Sequence, residues 1–219
     1  MQQLFFKFFR LSFCIFLSVS LSISLSVEAL DGASVRNGLD TGTFRTAKNF
    51  SYGEEELHIE RFDFSKKYPE LQDIEIDAKR NKRVFLDCSG QFPLLKTISY
   101  EGTFGVLNGT FTGNYESLDY VSICCTSCKI NLTFDGTWRK NAYVNICNRS
   151  EAICLRLPKT IGVIIQTHTS FGGKVNISPE YFQTKKGLRN KSFRNELAGS
   201  VPTITFDIQT GDGGSITVL

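Results

Sequence analysis

Residues 122–130 read SICCTSCKI, and three cysteines fall within five positions: Cys124, Cys125 and Cys128. Thiols at this spacing could do three kinds of chemistry. A CxxC pair can supply half of a tetrahedral zinc site, which then needs a second close pair of ligands. A CxxC that opens a helix can exchange disulfides, because the helix N-terminus lowers a thiol pKa. In an oxidising compartment, the cysteines of a small domain close into structural disulfides instead. The zinc reading lacks its second half, since Cys147 and Cys154 have six residues between them, a poor knuckle. The redox reading lacks its helix, since the flanking residues alternate apolar and polar as strands do. Disulfides are the favoured reading, and the compartment of the chain decides it.

The first residues address the compartment. The chain opens MQQLFFKFFR, with Lys7 and Arg10 and no acid, and continues LSFCIFLSVSLSISLSV. Small residues at Val27 and Ala29 precede LDG. This pattern predicts a secretory signal over residues 1–29, cleaved after Ala29. The alternative is an uncleaved anchor, but about 17 apolar-to-neutral residues is near the lower limit for crossing a bilayer, and serines dilute the run. The mature chain of about 190 residues is long enough for one domain with a real core. It keeps six cysteines: Cys88, Cys124, Cys125, Cys128, Cys147 and Cys154. An even number in an exported chain favours a disulfide framework, with 15 possible connectivities. The net charge of +3 is too small to point to nucleic acid.

The apolar residues that must position these thiols recur at a fixed interval. Ile98, Val121 and Val144 are spaced 23 apart, as are Leu107, Ile130 and Ile153, and Phe111, Phe134 and Leu157. Val84 and Cys88 extend the pattern backwards. A sustained period in the twenties predicts a stacked repeat. Within each copy the period is two, as in Val121–Ile123 and Ile130–Leu132–Phe134, which predicts half-buried strands. TS at 126–127, DGTW at 135–138 and NRSEA at 148–152 supply turns. The expected fold is all-β: a single solenoid-like domain of stacked strands with repeats of about 23 residues. LHIERFDF (57–64), LQDIEI (71–76), IGVIIQTH (161–168), GGKVNIS (172–178) and TITFDIQTGDGGSITVL (203–219) read as further strands. Residues 30–69 form an N-terminal segment with weak periodicity over 30–56, and 70–219 form the stacked domain. Only 187–198 offers a modest helix. Cys124 and Cys147 hold equivalent places in successive copies, so a Cys124–Cys147 bridge is the leading pairing.

LRLPKTIGVII (155–165), FGGKV (171–175) and the closing GDGGSITVL (211–219) resemble the bacterial "putative adhesin" domain nicknamed the toast rack. The same domain ends membrane proteins of the cell-wall-antibiotic response. The resemblance covers roughly residues 70–219 and is best after 118. It implies a stacked-β domain in the cell envelope and carries over no catalytic residue. The cysteine-rich copies depart from the family's usual pattern.

Other features of the sequence each have a plainer reading. Lys185, Lys186, Arg189, Lys191 and Arg194 lie together against one acid, Glu196. They could contact anionic lipid or an acidic envelope polymer, but a solvated loop is the commoner meaning of a charge run. Asp73, Glu75 and Asp77 alternate with Ile74 and Ile76, an array that could hold calcium and an acidic sugar. The plainer reading is the polar face of a strand. GDGG at 211–214 reads as a tight turn. Asn49, Asn108, Asn131, Asn148, Asn176 and Asn190 begin Asn-x-Ser/Thr triplets. These are glycan acceptors in a eukaryotic secretory chain and shared turn chemistry otherwise. His58 and His168 are the only histidines, and neither has cysteine or acid neighbours in a ligand set, apart from the acids flanking His58. No nucleophile elbow or phosphate loop occurs. The expectation is a non-enzymatic, exported cell-envelope protein without a cofactor, periplasmic, outer-surface or extracellular. Its partner would be a protein, glycan or membrane surface, with self-association through an uncapped sheet edge possible. A polysaccharide-binding or -cleaving solenoid and an envelope-stress signalling partner are the alternatives.

Overall fold

The computed structural model describes residues 43–47, 58–78 and 82–219. Among the described residues there is no helix, and the chain runs through strand after strand. β1 (Thr43–Ala47) and β2 (His58–Asp63) come first, followed by β3 (Asp73–Ala78), β4 (Lys82–Asp87) and the short β5 (Gln91–Phe92). Then come β6 (Thr97–Phe111) with β7 (Asn114–Tyr115), and β8 (Tyr120–Phe134) with β9 (Thr137–Trp138). β10 (Ala142–Asn148) and β11 (Ile153–Arg156) lead to β12 (Gly162–Thr169) and β13 (Lys174–Ile177). The chain finishes its described course through β14 (Phe182–Lys185), β15 (Asn190–Arg194), β16 (Thr203–Thr210) and β17 (Ser215–Val218).

These strands form a large mixed sheet, ordered β1-β3-β6-β8-β10-β16-β12-β15-β14 along its main path. Its pairings are parallel except where β15 meets β12 and β14. β6 and β8 pair along their whole length, so Ile98 stands beside Val121, Leu107 beside Ile130 and Phe111 beside Phe134. Val121 in turn stands beside Val144. Side chains alternate across each strand, and all of these residues are buried. Each fully buried aliphatic side chain contributes about 1.5–3 kcal/mol, so one row repeated over several strands makes a continuous core.

β5, β7 and β9 form a separate parallel sheet. They carry a second column of rings: Phe92 stacks on Tyr115 at 5.4 Å, and Tyr115 leans on Trp138 at 4.8 Å. The Tyr115 hydroxyl donates to the Cys88 carbonyl. Gly90, Gly113 and Gly136 stand one before each of these short strands. The chain crosses itself closely there, since a Cβ on Gly113 would lie 2.5 Å from the Gly90 carbonyl oxygen. The same holds at 2.5 Å for Gly136 against Gly113.

Spatial order departs from chain order at one place. β16 lies between β10 and β12, and β17 lies between β11 and β13. The turn that joins β16 to β17 is tight, with Asp212 and Gly213 at φ of 38° and 79°. A left-handed residue followed by glycine suits such a turn, as the GDGG stretch led one to expect. The helix expected over 187–198 is replaced by β15. Thr167 and its neighbours on β12 would otherwise present an unpaired edge, and antiparallel pairing with β15 covers it. Tertiary pairing overrides a weak local helix preference.

Candidate functional site: a cysteine corner beside a polar outer face

The outer face of β8, β10, β16 and β12 is built in rows. One row runs Tyr120, Tyr143, Thr205 and Ile164. The next runs Ser122, Asn145, Asp207 and Gln166, and a third runs Cys124, Cys147, Gln209 and His168. In the third row Cys124 and Cys147 are joined as a disulfide with a Cα separation of 4.7 Å. That matches the spacing of paired strands and falls within the range a disulfide tolerates. The bridge therefore ties β8 to β10 without bending either.

Beside it, the rings of Tyr120 and Tyr143 stack with centroids 6.0 Å apart. The Tyr143 hydroxyl donates to Asp207 Oδ2 at 2.8 Å. Burial, and then this hydrogen bond to a carboxylate, push the Tyr143 phenol up to about 12. Asp207 Oδ1 lies 3.1 Å from His168 Nε2. The two are close but not aligned as a hydrogen bond, so the contact is an ion pair only when His168 is protonated. His168 Nδ1 lies 3.2 Å from Asn190 Oδ1. A chain of polar contacts thus crosses β10, β16, β12 and β15. It presents fixed donors and acceptors on a rigid surface, which suits recognition of a polar partner.

The inner side of the same strands holds Cys125 and Cys128. β8 turns a corner here, and its alternation slips by one residue. Val121, Ile123 and Cys125 face inward before the corner, and Cys128, Ile130, Leu132 and Phe134 after it. Both thiols therefore point into the same corner. The two thiols interact across it. That contact lifts the Cys125 thiol far above the usual range, and burial adds to it. The same contact holds Cys128 below the usual range against the opposing effect of burial. β6 places Gly102 beside Cys125 and Gly105 beside Cys128, and the Tyr100 ring fills the space over Gly102. On the other side Asn148 pairs with Cys125, and its amide donates to the Cys128 and Glu151 carbonyls at 2.7 and 3.0 Å. A shallow cleft opens onto the corner between Asn148, Thr210 and Thr169, with Cys125 and Cys147 both on its wall.

Cys88 and Cys154 are thiols as well. Cys88 is fully buried, its amide bonded to the Thr110 carbonyl. Cys154 lies on the outer side of β11 between Asn131 and Thr217. Neither has a cysteine as a stacked neighbour. Among the described residues, no group of three or more His, Cys, Asp or Glu side chains could hold a metal. Asp73, Glu75 and Asp77 do share the outer face of β3, and Asp73 accepts from the Thr97 hydroxyl.

The basic residues lie on a hairpin. Lys185 ends β14, Lys186 and Arg189 lie in its turn, and Lys191 and Arg194 are on β15. All but the half-buried Lys191 are exposed, and Arg194 lies over the Phe182 ring at 5.2 Å. This segment is thus not a loop but the strand pair that covers the β12 edge. Among the Asn-x-Ser/Thr triplets, Asn148 is buried, Asn131 donates to Asn108, and Asn176 and Asn190 are exposed. Asn49, the leader expected over 1–29 and the acids at 54–56 lie outside the described residues. For His58 only the backbone is described.

Sequence reasoning missed Tyr143, Asp207 and the two-sided cysteine corner. The slip from odd to even inward positions between 125 and 128 was the available signal for the corner. No local signal existed for Asp207, which reaches Tyr143 only through the inserted β16.

No protein-family model matches this chain, and no curated protein matches it. Among solved structures, the chain is similar to the crystal structure of a putative cell adhesion protein from Clostridium sporogenes ATCC 15579, with 21% identity and a TM-score of 0.42. The match covers 56% of this chain and 55% of that one, so this chain spans about half the length of that protein.

Proposed function

We propose that the protein is an exported, non-catalytic protein of the cell envelope with an adhesin-like structural or interaction role. In this reading residues 1–29 are a cleaved leader. The fold is a solenoid-like, toast-rack stack of repeats of about 23 residues over 70–219. The observation that carries the proposal is the outer face of β8, β10 and β16. A disulfide lies in a row beside an exposed tyrosine pair and a line of fixed polar groups. Surface disulfides persist in oxidising compartments outside the cytosol. Flat strand faces bearing aromatic and hydrogen-bonding rows present a large preorganised contact area. The exposed cations of the β14–β15 hairpin add affinity for a polyanionic surface.

The test is fractionation of host cells producing the tagged full-length chain, with thiols alkylated at lysis. Recovery in the envelope or the medium, with Cys124 and Cys147 protected until reduction, supports the proposal. Recovery in the cytosol with both residues alkylated overturns it. Surface retention should fall at least several-fold in Tyr120→Ser/Tyr143→Ser, and unchanged retention would remove this face from the contact.

A further inference from the structure

The geometry points to Cys125 and Cys128 as a redox-exchangeable dithiol that closes into a second disulfide at the corner of β8. Three observations converge on it. The one-residue slip turns both side chains into one corner, where each thiol shifts the titration of the other. Cys88 and Cys154 lie elsewhere in the stack, so neither competes for the pair. Access is one-sided: Cys125 is 8% exposed and lies on the cleft wall, while Cys128 is 1% exposed behind it.

The reaction needs a disulfide of low molecular weight, such as oxidised glutathione, as the oxidant. Cys125 loses its proton to solvent and attacks one sulfur of that disulfide. The S–S bond breaks, and one thiolate leaves and takes up a proton. Cys128 then attacks the protein-side sulfur of the mixed disulfide, forming the Cys125–Cys128 bond and releasing the second thiol. Two protein S–H groups and one disulfide become one protein disulfide and two small thiols, with two electrons passing to the oxidant. Cys128 faces the same corner as that sulfur, and this places it as the resolving nucleophile. The Cys124–Cys147 bridge, on the opposite face of the strand, takes no part.

The experiment is a redox titration of the folded full chain in glutathione buffers. Samples are quenched in acid, alkylated with N-ethylmaleimide and mapped by mass spectrometry. Cys125 and Cys128 should lose both alkyl groups together, and their peptide should become two hydrogens lighter. The oxidised fraction should climb from one tenth to nine tenths over about an eighty-fold rise in the ratio of oxidised glutathione to squared reduced glutathione, as a two-electron couple requires. Cys128→Ser should trap glutathione on Cys125, and Cys125→Ser should leave Cys128 free. Glutathione trapped on Cys128 but never on Cys125 would overturn the order of attack. Two alkylated thiols at every ratio that preserves Cys124–Cys147 would overturn the site, as would a bridge from either sulfur to Cys88 or Cys154. The wild-type titration decides this even if a serine variant fails to fold.

Discussion

Cys124 and Cys125 are neighbours in sequence and do opposite things. Cys124 faces outward, where Cys147 stands beside it at strand spacing, while Cys125 faces inward toward Cys128. The covalent bridge closes a loop with a sequence separation of 23. Loop-closure entropy then assigns it about 3 kcal/mol. Cys147→Ser should lower the urea-unfolding free energy by about that amount, and reductant should reproduce the loss in the wild type. A change below about 0.5 kcal/mol would show that the stack holds β8 and β10 together unaided. Tyr143 gives a pH-dependent expectation. Its phenol is raised in the folded protein, to about 12, by burial and by donation to Asp207. A raised folded value means that the contribution is fully present below the unfolded tyrosine value near 10 and is lost as pH climbs through the folded one. The wild type should therefore exceed Tyr143→Phe in urea midpoint at pH 9, and the gap should shrink by pH 11.5. A constant gap would break the link to Asp207.

The strands show why some of this was legible in the sequence and some was not. Parallel in-register pairing puts residues from successive strands in one row, so Ile98, Val121 and Val144 betray their contact by repeating. The same logic reached the Cys124–Cys147 pair. Gly90, Gly113 and Gly136 repeat for a different reason, because each passes close to the backbone before it. Adding a Cβ there forces backbone apart. Gly113→Ala should cost about 1–3 kcal/mol, as overpacking does, read from thermal or urea unfolding. A neutral effect would mean that the β5–β7–β9 sheet can slide outward. Where rows are made by distant segments the signal vanishes. Tyr143 and Asp207 meet across 64 positions, and nothing in either local pattern announces the other. The run at 183–196 misled for a similar reason. Its charges read as a solvated loop, yet it pairs because β12 has a vacant edge, a fact about β12 rather than about the run itself.

For the molecule as a whole, the inserted pair β16–β17 holds the two parts of the large sheet together. Phe206 on β16 is fully buried between Val144 and Ile165, and it meets Phe134 edge-on at 5.1 Å. Phe206→Ala should cost about 3–5 kcal/mol, measured by urea unfolding. It should loosen β12 and β13 first, seen as faster amide exchange there than in β6 and β8. Uniform exchange across the sheet would show that the stack opens as one unit. The insertion also sets a timetable. A chain delivered from its N-terminus can lay each strand of the large sheet from β3 to β11 on one already made. β12 cannot follow suit, because both of its partners, β15 and β16, are synthesised after it. Until they arrive, β12 is a ready decoy for the bare edge of β10, in the register that simple succession would choose. The native arrangement then requires a late segment to claim a place between two earlier ones, a non-local closing step of the kind that is slow. During that interval a second nascent copy could offer its own strand instead. The hazard of this fold therefore lies less in its finished surface than in the time between making residue 162 and residue 218.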